Sequence, residues 1–165
     1  MVNVHWRGRG LRKKIPFVPS PHDVVEKMLS IADPKPDELL IDLGSGDGRI
    51  VISAARDYGC RSLGVEIDDV LIDHSMRKIQ RLGLKDAEIV KADLYQFDLS
   101  NADVITLYLL PDTLKTLKRK LLNLKRGARI ICHDYKIPGL EPDEAYVVKS
   151  KITGRDHFIY LYEID

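Results

Sequence analysis

Residues 39–50 read Leu-Leu-Ile-Asp-Leu-Gly-Ser-Gly-Asp-Gly-Arg-Ile, and this stretch decides the fold. The apolar run up to Asp42 is typical of a buried parallel strand. Gly44, Gly46 and Gly48 follow at alternate positions and lead directly into a helical pattern. Such glycines allow a tight turn and let a ligand lie against bare main chain. The stretch therefore predicts a strand, a ligand-binding turn and a helix.

Two further carboxylates stand where neighbouring strands are expected to end. Glu66 closes the apolar run that starts at Ser62, and Asp93 follows a third run over residues 87–91. In doubly wound sheets an acid at the tip of the second strand binds the ribose of a nucleoside ligand. The pattern predicts a site for a nucleoside-like cofactor.

The spacing of the turn excludes two common nucleotide sites. The dinucleotide fingerprint needs its third glycine one residue later, and a P-loop needs Gly-Lys-Ser/Thr after the turn. Asp42 and Asp47 also place negative charge in and beside the turn. These carboxylates would repel a pyrophosphate, whereas they suit a cation such as an ammonium or a sulfonium.

Apolar periodicity and turn residues predict one helix, five β/α units and a terminal hairpin. The fold class is therefore α/β, a doubly wound, mostly parallel sheet of seven strands with a C-terminal antiparallel hairpin. A helix begins at Ser20-Pro21, with Ser20 as its N-cap. The strands are expected near residues 38–43, 61–66, 87–91, 101–108, 128–133, 145–150 and 157–163.

Length and composition place limits on the class of protein. At 165 residues with a net charge of +1, we expect residues 15–165 to form a single domain. Residues 1–14 are rich in Arg and Lys and are expected to be a flexible basic arm. No apolar run is long enough to span a membrane. Cys60 and Cys132 are interpreted as buried free thiols, which favours the cytoplasm, and we expect a monomer.

The glycine turn with its acids resembles motif I of class I S-adenosylmethionine methyltransferases, which have a Rossmann-like fold. That resemblance implies S-adenosylmethionine as cofactor. It assigns Glu66, with Ile67 after it, to the ribose hydroxyls, and Asp93, with Leu94 beside it, to the adenine. The loop residues implied are Asp42, Gly44, Ser45, Gly46 and Gly48.

The methyl acceptor should lie at the end of the fourth strand, because ligands of open α/β sheets bind at the switch in strand order. The sequence there is Tyr108-Leu109-Leu110-Pro111, an apolar segment with one hydroxyl. It lacks the Asn/Asp-Pro-Pro-Tyr/Phe segment of base-amine methyltransferases and has no cysteine nucleophile. An alkyl amine fits such a segment.

A lysine acceptor needs no dedicated base in this setting. Deprotonating an amine of pKa ~10.4 at pH 7 costs roughly 4.6 kcal/mol. A sulfonium about 4 Å away disfavours the ammonium by roughly 4 kcal/mol at an effective dielectric constant near 20. Alignment and desolvation would then carry an in-line displacement.

A narrower resemblance covers about residues 15–163. Ile15-Pro-Phe-Val-Pro-Ser-Pro, followed by a helix and the glycine turn, is similar to small archaeal protein-lysine methyltransferases and to mitochondrial lysine methyltransferases. It implies a broad-specificity enzyme whose partners are proteins with exposed lysines. It places Phe17, Pro19 and Ser20 over the methionine end of the cofactor, and Tyr108 to Leu110 along the lysine channel.

The chain departs from these families at several places, and Pro111 directly after the channel segment is one of them. Ser45 stands where archaeal relatives often have Cys, and His133-Asp134-Tyr135 stands where His-Glu-Phe is expected, which puts the role of that acid in doubt.

Alternative functions are an RNA or small-molecule methyltransferase and a non-catalytic S-adenosylmethionine-binding protein. The basic arm favours nucleic acid as a substrate, whereas the missing base-amine segment argues against it. The five histidines show no metal-ligand spacing, so no metal site is expected.

Overall fold

The computed structural model describes residues 17–165, so the basic arm over residues 1–14 lies outside the described residues. Residues 17–165 form four α-helices and seven strands. The helices are α1 (His22–Ala32), α2 (Arg49–Ser53, continued by a π-helical turn over Ala54–Tyr58), α3 (Asp69–Arg81) and α4 (Pro111–Leu122). The strands are β1 (Leu39–Leu43), β2 (Arg61–Glu66), β3 (Ala87–Lys91), β4 (Val104–Leu107), β5 (Arg129–His133), β6 (Glu144–Lys149) and β7 (Asp156–Glu163).

The strands form one seven-stranded sheet in the order β3-β2-β1-β4-β5-β7-β6. The first five strands along the chain pair in parallel, and β7 pairs antiparallel with both β5 and β6. The strand order reverses between β1 and β4, and there Asp42 pairs with Thr106. A ligand is expected outside the carboxyl ends of the strands at this switch.

Both faces of the sheet are covered by helices, because successive strand residues point to opposite faces. On one face, α4 contributes Leu114, Leu117 and Leu121 to a core with Ile41 and Ile105. On the other face, α1 and α2 pack against alternate strand residues such as Leu40, Val104 and Ile131. The central strands are therefore buried on both sides, which explains their continuous apolar runs.

The sequence predicted this architecture, including the antiparallel hairpin, and the structure confirms it. The segment between β5 and β6 carries no helix, because Pro138, Gly139 and Pro142 interrupt it. The helix cap was predicted wrongly: α1 begins at His22, its N-cap is Pro21, and no side chain caps it. Among residues 17–165, every helix is too short or too polar to cross a membrane.

Candidate functional site

A cavity of about 980 Å³ opens beyond the carboxyl ends of β1, β2 and β4. Its walls come from the segment before α1, the glycine turn, the ends of three strands and the start of α4. The residues predicted from the sequence that line it are Phe17, Pro19, Ser20, Asp42, Gly44, Ser45, Glu66, Ile67, Asp93, Leu94, Tyr108, Leu109 and Leu110. Residues far apart in the chain thus meet at one place, as the strand-end argument requires.

The two remaining predicted residues, Gly46 and Gly48, shape the turn without lining the cavity. The Phe17 ring lies on Gly46, so that a Cβ on this glycine would stand 2.1 Å from Phe17 Cε2. Gly48 has φ of 79° and forms the N-cap of α2. A Cβ there would lie 2.9 Å from Ser75 Cβ on α3. Both positions require glycine for close approach as well as for backbone conformation.

Glu66 fixes the rim of the cavity through three backbone hydrogen bonds. Its Oε2 accepts from the Gly46 N–H at 2.8 Å, and its Oε1 accepts from Ile67 at 2.8 Å and from Asp68 at 3.1 Å. The carboxylate is thereby oriented before any ligand binds. A carboxylate has about four lone-pair positions, so Oε2 can accept one further hydrogen bond, from a ligand hydroxyl.

Asp42 is a buried carboxyl at the bottom of the cavity, with 4% of its surface exposed. Thr106 Oγ1 donates to its Oδ1 at 2.7 Å. Desolvation raises the pKa of Asp42 to about 7, and the nearby carboxylates of Glu66 and Asp47 act in the same direction. A bound cation would reverse this effect, so the site is electrostatically suited to a positively charged ligand.

Arg49 ties the glycine turn to the segment before α1, a link that the sequence did not reveal. Its guanidinium pairs with Asp47 at 2.6 Å and donates to the backbone carbonyl of Ser20 at 2.8 Å. Burial acts to raise the pKa of Asp47, but the hydrogen bonds and charge of Arg49 lower it below its ordinary value. Only the tertiary structure brings Ser20 to this turn.

One wall of the cavity is formed by Tyr108, Leu109 and Leu110, the residues that the sequence predicted for the acceptor. Leu109 is buried, whereas Leu110 is 44% exposed at the mouth. The hydroxyl of Tyr108 donates to Asp134 Oδ2 at 3.4 Å, and its ring lies 3.9 Å from the His133 ring, centroid to centroid. Burial, and then the Asp134 charge, raise the pKa of Tyr108. The tyrosine is therefore a neutral hydroxyl held in place by packing.

A second group of side chains behind Tyr108 was not found from the sequence. His133, Asp134 and His157 bring ligand-type atoms within 4.8 Å of one another. The histidines lie 24 residues apart and meet because β5 pairs with β7. Sequence spacing could not show this meeting, which depends on strand register. The prediction that no metal binds stays a prediction.

Comparison with known proteins decides the family. A model of the ANTKMT methyltransferase domain matches residues 42–144. The chain belongs to this family.

Individual relatives agree with the family and cover most of this chain. A protein-lysine N-methyltransferase of Saccharolobus islandicus is 40% identical over 153 residues, 91% of this chain and 94% of that protein. The adenine nucleotide translocase lysine N-methyltransferase of Mus musculus is 32% identical over 80% of this chain, which spans 58% of that relative. A solved structure from Salinibacter ruber, described as an RNA methyltransferase in complex with S-adenosyl-L-homocysteine, superposes with a TM-score of 0.82 at 38% identity. That superposition covers 89% of this chain and 94% of the Salinibacter chain.

This ANTKMT-family member uses S-adenosylmethionine, and its cavity fits that cofactor. Ser45 Oγ is the one buried side-chain polar atom of residues 17–165 that lacks a hydrogen-bond partner. This oxygen is shielded from solvent and lies toward Gly64 of β2, where a Cβ would stand 2.5 Å from it, so the fit to the cofactor rests on the carboxylates at the cavity. Asp42 and Glu66 would hold the cationic and ribose parts of the cofactor, and Asp93 the adenine.

The raised pKa of Asp42 predicts that cofactor affinity depends on pH. Below pH 7 the free protein holds a proton on Asp42, which a nearby cation must displace on binding. We therefore expect the affinity for S-adenosylmethionine to rise about tenfold per pH unit from pH 5.5 toward 7 and to level off above it. Calorimetric titrations between pH 5.5 and 7.5 measure this. Asp42→Asn should remove the dependence, and a flat wild-type profile would contradict the assignment.

Proposed function

We propose that this protein transfers the methyl group of S-adenosylmethionine to the ε-amine of exposed lysines on many proteins. The observation that carries the proposal is the position of Tyr108, Leu109 and Leu110, which form one wall of the cofactor cavity. This wall offers alkyl surface and one hydroxyl, which suits the four-carbon stem of lysine with an amine at its tip. The relatives named as lysine methyltransferases support the same substrate class.

The residues at the wall support a mechanism of alignment and desolvation. When bound, S-adenosylmethionine would supply an electrophilic methyl group, which the lysine nitrogen would attack in line with the C–S bond, so that the N–C bond forms as the sulfur leaves as a thioether. Leu109 and Leu110 exclude water from the acceptor, which favours the neutral amine. Tyr108 is fixed by its hydrogen bond to Asp134 and presents its oxygen to the nitrogen as an acceptor. Burial holds it neutral, so it orients the amine without serving as its base.

Broad selectivity, a monomeric state and a cytoplasmic location belong to the same proposal. The described residues form one sheet with its helices, and one chain supplies every wall of the cavity. Selection would then depend on how accessible a lysine is. Cys60 and Cys132 are buried free thiols, which supports a reducing compartment.

RNA is the second candidate substrate, since the Salinibacter protein of 38% identity is described as an RNA methyltransferase. A nucleic-acid substrate predicts that activity falls steeply with salt concentration, because phosphate contacts release counterions. Protein lysine predicts a much weaker dependence on salt.

The test is incubation of the protein with isotope-labelled S-adenosylmethionine and a dialysed cell lysate, with and without nuclease, followed by mass spectrometry. We expect methyl-lysine on several proteins, unaffected by nuclease and strongly reduced with a Glu66→Ala variant at a low concentration of S-adenosylmethionine. Label on a single protein would contradict broad selectivity. Label removed by nuclease would move the substrate class to RNA.

A further inference from the structure

A continuous chain of hydrogen bonds leads from the cofactor cavity to the protein surface. Ser20 Oγ, at the cavity wall, lies 2.7 Å from His133 Nδ1. His133 Nε2 lies 2.9 Å from His157 Nδ1. His157 Nε2 in turn lies 2.9 Å from Oγ1 of Thr153, an exposed residue in the β6–β7 turn. Each imidazole thus uses both of its nitrogens, one toward the cavity and one toward solvent.

The two imidazoles of this chain are shielded from water. His133 is fully buried and His157 is 1% exposed. Desolvation lowers the pKa of His133 to about 4, the charges of His157 and Arg155 add to this, and Asp134 opposes it. His133 is therefore neutral at physiological pH. A neutral imidazole has one donor and one acceptor nitrogen, which is what the passage of a proton across the ring requires.

Asp134 lies beside the midpoint of the chain and carries the compensating charge. Its Oδ2 is 3.2 Å from His157 Nδ1 and 3.4 Å from His133 Nε2, while its Oδ1 accepts from the Phe158 N–H at 2.9 Å. The residue has φ of 61°, a left-handed conformation that costs energy outside glycine and clusters at functional sites. Arg155 and the Tyr108 hydroxyl, each 3.4 Å from Oδ2, complete the charged and titratable groups around the rings.

Lysine methylation creates the need for such a chain. The acceptor enters as an ammonium, its nitrogen must lose a proton before it attacks, and each transfer releases one proton in all. A protein substrate docked over the cavity would cover the mouth through which bulk water could take that proton. The hydrogen-bonded chain leaves the cavity on the inner side, behind Ser20 and Tyr108.

We propose that Ser20, His133, His157 and Thr153 form a relay that carries the proton of the substrate ammonium from the cavity to solvent. The ammonium gives its proton to Ser20 Oγ as Ser20 gives its own to His133 Nδ1. His133 passes its Nε2 proton to His157 Nδ1, and His157 passes its Nε2 proton through Thr153 to water. The chain is reset when the hydroxyls rotate and each imidazole returns to its starting tautomer by rotation of its ring, so that no proton moves back toward the cavity. The relay rests on the lysine methyltransferase activity proposed above.

A metal ion is the competing interpretation of the same side chains. The 2.9 Å separation of His133 Nε2 and His157 Nδ1 is a hydrogen-bond distance, and it uses the lone pair that a metal would need. The Arg155 guanidinium also approaches the same oxygen of Asp134. Both observations favour protons over a metal cation at this place.

The test compares the pH dependence of kcat for wild type and His157→Gln, with total methyl-lysine in a dialysed lysate as readout and S-adenosylmethionine at saturation. Wild type should change little between pH 7 and 9. His157→Gln should be about a hundredfold slower at pH 7, and the loss should shrink about tenfold per pH unit as lysines deprotonate in bulk water. The matched control is His74→Gln, the same change at an exposed histidine of α3, which should behave as wild type.

Three outcomes would overturn the relay. One is a loss of equal size at every pH, which is the signature of a purely structural defect. Another is full activity of His157→Gln at pH 7. The third is one tightly bound metal ion per chain whose removal abolishes activity. Absence of methyl-lysine with wild type at any pH would instead refute the proposed function.

A second variant keeps the test decisive if His157→Gln does not fold. Ser20→Ala removes only the hydroxyl at the cavity end, so it should fold and show the same pH-dependent loss of kcat. Any loss of cofactor affinity would appear separately in KM for S-adenosylmethionine. A kcat profile equal to that of wild type would contradict the entry of the proton at Ser20.

Discussion

Glu66→Ala is expected to raise the dissociation constant for S-adenosylmethionine about a hundredfold. The carboxylate is assigned to the ribose hydroxyls and has one acceptor position left, on Oε2, and a hydrogen bond to a charged group contributes up to about 3 kcal/mol. A loss of about 3 kcal/mol is a factor of roughly 100 in the dissociation constant. The variant also leaves the Gly46 N–H, now bonded to Glu66 at 2.8 Å, without its partner, which acts in the same direction.

Calorimetric titration measures this effect, and Glu88→Ala is the matched control. Glu88 is an exposed residue of the neighbouring strand β3 and lies outside the cavity. Its removal changes the net charge by the same amount and should leave the dissociation constant unchanged. A change of less than about threefold for Glu66→Ala would show that Glu66 does not hold the ribose.

Gly48→Ala is expected to lower the free energy of unfolding by about 3 kcal/mol. Gly48 has a left-handed backbone, which costs an alanine about 1–2 kcal/mol. The new Cβ would also stand 2.9 Å from Cβ of Ser75, which is fully buried on α3, and overpacking adds about 1–3 kcal/mol. Gly59→Ala separates the two causes, because Gly59 has φ of 67° with no atom within 4 Å of a Cβ. It should cost only about 1 kcal/mol.

Urea denaturation of both variants gives the comparison. In the double variant Gly48→Ala/Ser75→Gly the colliding Cβ of residue 75 is absent. The destabilisation of the double variant should therefore be smaller than the sum of the destabilisations caused by the two single substitutions. Equal destabilisation by Gly48→Ala and Gly59→Ala would show that α3 moves away without cost.

The sequence predicted those parts of the site that local chain geometry controls. A glycine turn after a buried strand has few conformations, and an acid at a strand tip must lie at the edge where the neighbouring strands also end. Asp42, Glu66 and Asp93 were found on these grounds, and the structure places all three at one cavity. The same logic placed Tyr108 at the acceptor side.

Tertiary contacts determine the parts that the sequence did not predict. Capping rules treat Ser20 as the start of a helix, yet its hydroxyl contacts His133, 113 residues away. His133 and His157 looked unrelated because no local rule fixes the register between β5 and β7, where His133 pairs with Ile159. Asp134 stands where a glutamate was expected, and it lies beside both histidines only because β5 pairs with β7.

The cavity and the proposed relay extend beyond the region that the family model matches. The ANTKMT model matches residues 42–144, whereas Phe17 and Ser20 lie ahead of that region and His157 behind it. A protein trimmed to the recognised domain would lose the flap over the glycine turn and strand β7, which supports β5. Whether another member of this family is active should therefore be assessed from these flanking residues as well as from the glycine motif.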